Sequence, residues 1–218
     1  MLMESNAHKA ILSLCDFSGN WPRPYAEAGY RVILVDPKHA DKASPPISSL
    51  THKWPITVNA LLDRLDTHPY LKNDIRGLLA APPCTHFTVS GAQYWAVKDA
   101  DGRTEEMLNI VRDCLSIIEQ LAPAWWALEN PVGRLPKLLP EIGKPWYFQP
   151  HWYGDPWTKK TGLWGKFNRN LPRQDVMPIQ YTKQGSWTQR YGGKSERTKE
   201  ARSMTPLGFA KAFFLANP

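Results

Sequence analysis

Four short apolar runs, each broken off at a polar residue, constrain this chain more than any other feature. "AILSLCDF" gives way to Ser18-Gly19, "RVILVD" stops at Asp36, "IRGLLAAPPC" at Cys84 and "AWWALEN" at Glu129 and Asn130. Runs this short with almost no polar position suit strands covered on both faces, as in a parallel sheet between helical layers. Between the first two stands "RPYAEAGY", which reads as a short helix closed by Gly29. Strand, helix, strand is a βαβ unit. The clearest helix is 104–121, where Met107, Leu108, Val111, Cys114, Leu115, Ile118 and Leu121 recur at helical spacing, making Cys114 a core residue. Residues 57–68 read as a further helix and 40–55 as a Pro/Ser-rich loop. The alternation predicts an α/β domain, with any site beyond the carboxyl ends of its strands.

The length of 218 residues suits one domain, with at most a small lobe attached. From about residue 132 the composition changes. Residues 143–200 are rich in Gly, Trp, Tyr, Lys and Arg and read as short strands and loops, a candidate second lobe. "TPLGFAKAFFLAN" reads as a C-terminal helix with Pro206 near its start. With no signal peptide and no long apolar span, the expectation is a soluble protein of the cytoplasm, with no membrane partner. The three cysteines stand in no CxxC or Cys/His array, which argues against a disulfide framework or a metal site. A net charge of +7 favours a polyanionic partner. Ten tryptophans beside so many basic residues suggest aromatic surfaces that suit nucleic acid, although packing is the commoner fate of any single tryptophan.

Three strand ends thus carry a glycine turn, a thiol and a carboxylate. Read blandly, Cys84 is a small filler after a Pro-rich turn and Glu129 an ordinary surface acid. Read together, their order is specific. "DFSGNWPRPYAEAGYRVILVD", "APPCTHFTVSG", "LENP", "GDPWTKKTGLWGKF" and "RSMTPLGFAKAFF" resemble, in order, the first, fourth, sixth, eighth and tenth motifs of the DNA cytosine-5 methyltransferases of small bacterial and phage type. These motifs span nearly the whole chain. The resemblance implies an α/β, Rossmann-like S-adenosylmethionine-dependent methyltransferase fold with a minimal target-recognition lobe. It implies a catalytic domain over 8–165, a DNA-binding segment over 166–200 and a C-terminal helix over 201–218 that packs back.

By that resemblance Cys84 is the nucleophile that adds to cytosine C6, activated by a lowered pKa, and Glu129 binds N3 and the 4-amino group. Phe17, Ser18 and Gly19 form the cofactor turn, Asp36 with Pro37 the ribose end of the second strand, and Pro82, Arg202 and Ser203 the rest of the cofactor contacts. Lys160, with Lys159 second, takes the cationic role near cytosine O2. Thr57 stands where the family offers an acid to adenine, with Asp63 or Asp66 as substitutes. Arg190, Lys194, Arg197 and Lys199, with Lys159, are expected on DNA phosphates, and the Gln184–Trp187 loop or an aromatic in the gap left by a flipped cytosine. The strand end Ala81-Pro82-Pro83-Cys84 lacks the amide or acid of amino-methyltransferases, which favours carbon over nitrogen as the methylated atom.

The implied partner is duplex DNA, bound by a monomer, and the implied donor S-adenosylmethionine. Arg202 beside a positive sulfonium motivates an alternative donor, carboxy-S-adenosylmethionine, and a carboxymethyl product. Further alternatives are RNA as substrate and a non-catalytic nucleic-acid binder on the same fold.

Overall fold

The computed structural model describes residues 6–41, 47–182, 185–186 and 195–218. Nine strands run in chain order: β1 (Ala10–Leu14), β2 (Arg31–Val35), β3 (Thr51–Trp54), β4 (Ile75–Ala80), β5 (Trp125–Pro131), β6 (Trp146–Phe148), β7 (Thr161–Lys166), β8 (Gln180–Thr182) and β9 (Gly185–Ser186). The helices are α1 (Arg23–Glu27), α2 (Val58–Leu62), α3 (Tyr70–Asp74), α4 (Trp95–Ala100), α5 (Arg103–Leu121), α6 (Leu135–Leu138), α7 (Glu196–Ser203) and α8 (Leu207–Ala216).

The first seven strands form one sheet in the order β3-β2-β1-β4-β5-β7-β6, and β8 and β9 pair separately. β1 is parallel to β2 and β4, β2 to β3 and β4 to β5, while β7 runs antiparallel between β5 and β6. The apolar runs explain the centre: all five residues of β1 are buried, as only a strand covered on both faces can be. The strand order reverses direction between β1 and β4, the switch point where α/β sheets open a crevice. The fold is a Rossmann-like α/β one.

The two faces of the sheet differ. One packs aliphatic side chains, among them Leu12, Leu78, Val111, Cys114 and Ile117, under α2 and α5. The other is aromatic, with Trp21, Tyr25, Trp125, Phe148, Phe209 and Phe213 under α1 and α8. There Phe148 and Phe209 stack with centroids 3.7 Å apart. Asp155 takes the backbone N–H groups of Gly208 and Phe209 at the start of α8, and Tyr25 Oη donates to Asn217 O at its end. Most described tryptophans belong to or pack against these two clusters, Trp95 and Trp157 being the partly buried exceptions.

Three segments differ from the sequence reading. The 40–55 loop contains β3, an edge strand only half covered, which therefore needs no apolar run and can carry His52 and Lys53. The helix expected over 57–68 stops at Leu62, and a separate 3-10 turn spans Leu65–Thr67. Val58, Leu61 and Leu65 are all buried, so the apolar spacing is satisfied by two short turns instead of one helix. Within 143–200, β6 and β7 belong to the main sheet, and position 165 falls inside β7. No helix among the described residues is long and apolar enough to cross a membrane.

Candidate active site

The site is built at the carboxyl ends of β1, β2, β4 and β5, in two halves. The first half is the turn after β1. Asp16 is buried there and accepts from Ser13 Oγ at 2.8 Å, Ser18 Oγ at 3.1 Å and the Gly19 N–H at 2.7 Å. The carboxylate folds the Phe17–Gly19 segment around itself. Burial pushes its pKa up against those three hydrogen bonds, and the charge of Asp36 adds to the rise. Gly19 has φ +65, and a Cβ there would come within 2.4 Å of Ile47 Cδ1, so both the backbone and the space favour glycine. Phe17 lies 5.3 Å from the His39 ring, centroid to centroid, and His39 Nε2 is 3.2 Å from Asp16 O.

Asp36 follows β2. One of its oxygens accepts the Lys38 N–H at 2.9 Å and caps the turn that opens at exposed Pro37, which fixes the carboxylate at the strand end with acceptor capacity left for hydroxyls. Asn20 reaches across to Thr205 O at 3.4 Å and lays the segment after α7 beside this turn. Arg202 and Ser203 close α7 and are exposed, with Ser203 Oγ donating to Glu200 O at 2.8 Å. A turn of small residues, an acid one strand over and their position at the switch point suit a nucleoside-bearing cofactor.

The second half joins the loops after β4 and β5. Pro82 is buried, and its carbonyl accepts from Asn130 Nδ2 at 3.1 Å. That bond ties the segment entering Cys84 to the end of β5. Glu129 and Lys159 form a nearly buried pair, Nζ to Oε1 3.8 Å, their side chains 17% and 13% exposed for Lys159 and Glu129. Burial raises the Glu129 pKa, and Lys159 opposes the rise. Cys84 lies within reach of the same charges. Burial raises its thiol most, Lys159 and Arg202 pull it down, and Glu129 pushes it further up.

One expectation is corrected here, and three others gain a structural setting. The Cys84 thiol is held up, not lowered, because loss of hydration outweighs the two cations. Lys159 and not Lys160 meets Glu129. Lys160 is exposed, with its ammonium 4.6 Å from the centroid of the Tyr147 ring. Thr57 is an N-cap: its hydroxyl accepts the Ala60 N–H at 3.3 Å and starts α2. Neither proposed substitute is tucked into the site. Asp63 is the exposed C-cap of α2, and Asp66 is 91% exposed and pairs with Lys72.

Arg190 and Lys194 lie outside the described residues, as do Gln184 and Trp187. Arg197 and Lys199 fall on α7, and their side chains are also outside the description. The structure adds two groups that the sequence reading left without a role. Asp16 was detectable, since it adjoins the turn it organises. Arg134, which bonds His86 O at 3.1 Å, has no spacing signal at all.

No protein-family model and no curated protein matches the chain. Among solved structures it is similar to a protein named as a DNA modification methyltransferase encoded within an E. coli prophage. The identity is 20%, with 78% of this chain and 51% of that one covered and a TM-score of 0.46. It is also similar to a short chain dehydrogenase from Leptospira borgpetersenii with bound NAD+, at 12% identity, 51% and 46% coverage and a TM-score of 0.31. The chain spans about half the length of each. Likenesses this distant leave the chemistry to be read from the side chains.

Proposed function

We propose that the chain is an S-adenosylmethionine-dependent DNA cytosine-5 methyltransferase with Cys84 as its nucleophile. The observation that carries this reading is the convergence of a thiol, an acid and a cation, Cys84, Glu129 and Lys159, at the ends of β4 and β5, beside the turn after β1. A fold of this type hosts many chemistries, so the reading rests on the site.

Cytosine C5 is a poor nucleophile, and the site is suited to change that. The Cys84 thiolate adds to C6 while protonated Glu129 gives its proton to N3, so no negative charge accumulates on the ring. The electron pair released toward C5 makes that carbon nucleophilic. The donor supplies a methyl group on a sulfonium. After transfer a base removes the C5 proton, the C6–Sγ bond breaks with its electrons returning to sulfur, and Glu129 recovers the proton from N3.

The raised pKa of Glu129 keeps its acid form available, which this step needs. The raised Cys84 pKa means that the free protein holds a resting thiol, with Lys159 and Arg202 favouring the thiolate as it forms. Phe17, Ser18, Gly19 and Asp36 would hold the donor. The substrate in this reading is duplex DNA with the cytosine flipped into the site, bound by a monomer.

The test is duplex DNA carrying 5-fluorocytosine, incubated with S-adenosylmethionine. Fluorine at C5 blocks the final elimination, so a denaturant-stable adduct mapping to Cys84, absent in Cys84→Ser, is expected. No adduct on any DNA, with tRNA modified instead, would move the substrate to RNA. Cofactor binding without turnover on either would leave a nucleic-acid binder.

A second reading has one observation in its favour. The charge of Arg202 is felt at Cys84, which puts a cation near the reacting centre. A carboxylate on the transferred carbon would pair with it. The mass of the adduct, with both donors supplied, decides between methyl and carboxymethyl.

A further inference from the structure

We infer that Arg134 is the positioning residue of this site, a splint that sets the nucleophile loop against the strand carrying the acid. The inference rests on the proposed function.

Arg134 lies on the loop leaving β5, four residues after Asn130. Its Nε donates to the carbonyl of His86, two residues past Cys84, at 3.1 Å. Its two terminal nitrogens fork onto the Asp99 carboxylate at 2.7 Å each, and Nη2 also donates to Thr104 Oγ1 at 3.1 Å. The guanidinium lies 4.6 Å from the centroid of the Trp95 ring, and the side chain is only 10% exposed. One planar group thus joins three segments: the loop after β5, the loop after β4, and α4 with the start of α5.

The backbone repeats the junction. Arg134 N donates to Phe87 O at 2.9 Å and Val89 N to Val132 O at 3.2 Å. Gly133 packs so closely that a Cβ there would sit 1.9 Å from Phe87 O. From α4, Lys98 Nζ also donates to Thr85 O at 2.7 Å. Every carbonyl gripped by these two side chains belongs to the segment that follows the thiol directly.

The fork is durable. Arg134 holds the Asp99 carboxyl down at about 2, so the pair stays ionised at any working pH. Lysine in its place would keep a charge but lose the fork and the stacking plane. A misplacement of about 1 Å in a reacting group can cost about 100-fold in rate. Arg134 is well placed to prevent that without touching substrate.

Two variants in the full chain test the inference, Arg134→Lys and Asp99→Asn. Turnover on duplex DNA is expected to fall about 10- to 100-fold in Arg134→Lys. The KM for DNA and the affinity for S-adenosylhomocysteine should stay within about twofold, since the turn after β1 is built separately. Iodoacetamide labelling of Cys84 in the DNA-free protein, mapped by mass spectrometry, should accelerate in both variants as the loop is released. Their effects should be non-additive in the double variant.

Wild-type turnover with wild-type labelling in Arg134→Lys would overturn the inference. So would a parallel loss of cofactor affinity and melting temperature, which would make Arg134 a general scaffold residue. A wild-type protein inert on every nucleic acid would overturn the functional reading alone, and the labelling rates would still decide whether Arg134 sets the loop.

Discussion

The two halves of the site are held by different kinds of bond. On the proposed cofactor side one buried carboxylate, Asp16, gathers donors from residues no more than three positions away. On the proposed catalytic side the bonds Asn130 to Pro82 and Arg134 to His86 each join residues 48 positions apart. The first half is a self-contained turn. The second is completed only once β4 and β5 are paired, because its cross-loop bonds need both loops in place. Damage to the first half should therefore appear as lost cofactor affinity, and damage to the second as lost rate.

The largest break in that comparison is expected from Glu129→Gln, which keeps shape and removes the acid. Turnover should fall about 10²- to 10⁴-fold, with cofactor affinity unchanged. The Glu129 charge pushes the Cys84 thiol up, so iodoacetamide labelling of Cys84 in this variant should shift to lower pH. Equal labelling profiles in the two proteins would separate Glu129 from Cys84.

A smaller effect is expected from Lys159→Met. Lys159 lowers both Cys84 and Glu129, so both should titrate higher without it. The pH–rate profile should move to higher pH, with a lower rate near neutrality as the thiolate population falls. Lys160→Met should leave the profile in place, since Lys160 lies over Tyr147. A shift on Lys160→Met in place of Lys159→Met would reverse the assignment.

The smallest expected effect on rate is that of Asp16→Asn, read as weaker S-adenosylhomocysteine binding by calorimetry and a stability loss of about 1–3 kcal/mol at low pH. Asp16 has a raised folded pKa, so the native state holds its proton more tightly than the unfolded chain does. Its contribution to stability is present below the ordinary carboxylate pKa and is lost as pH rises through the raised one. Melting curves of Asp16→Asn across that window should show a flatter decline than wild type. A lost rate at saturating cofactor would show that the two halves are coupled after all.

The sequence by itself determined the alternating architecture, because apolar runs of β1, β2, β4 and β5 can only be buried between two layers of helix. It also pointed to Cys84 and Glu129 as the candidate chemical groups, since they follow directly on those runs, and it made the turn at Asp16–Gly19 readable as a local motif. Tertiary structure decided the rest. Successive residues of an extended segment face opposite ways, so which of Lys159 and Lys160 meets Glu129 hangs on the register of β7, where Leu163 pairs with Glu129. Thr57 became a helix cap because α2 starts there. The protonation of Cys84 follows from how much water the folded chain excludes, and the role of Arg134 from a contact between loops distant in sequence. Burial and long-range pairing are properties of the assembled sheet, and no spacing along the chain encodes them.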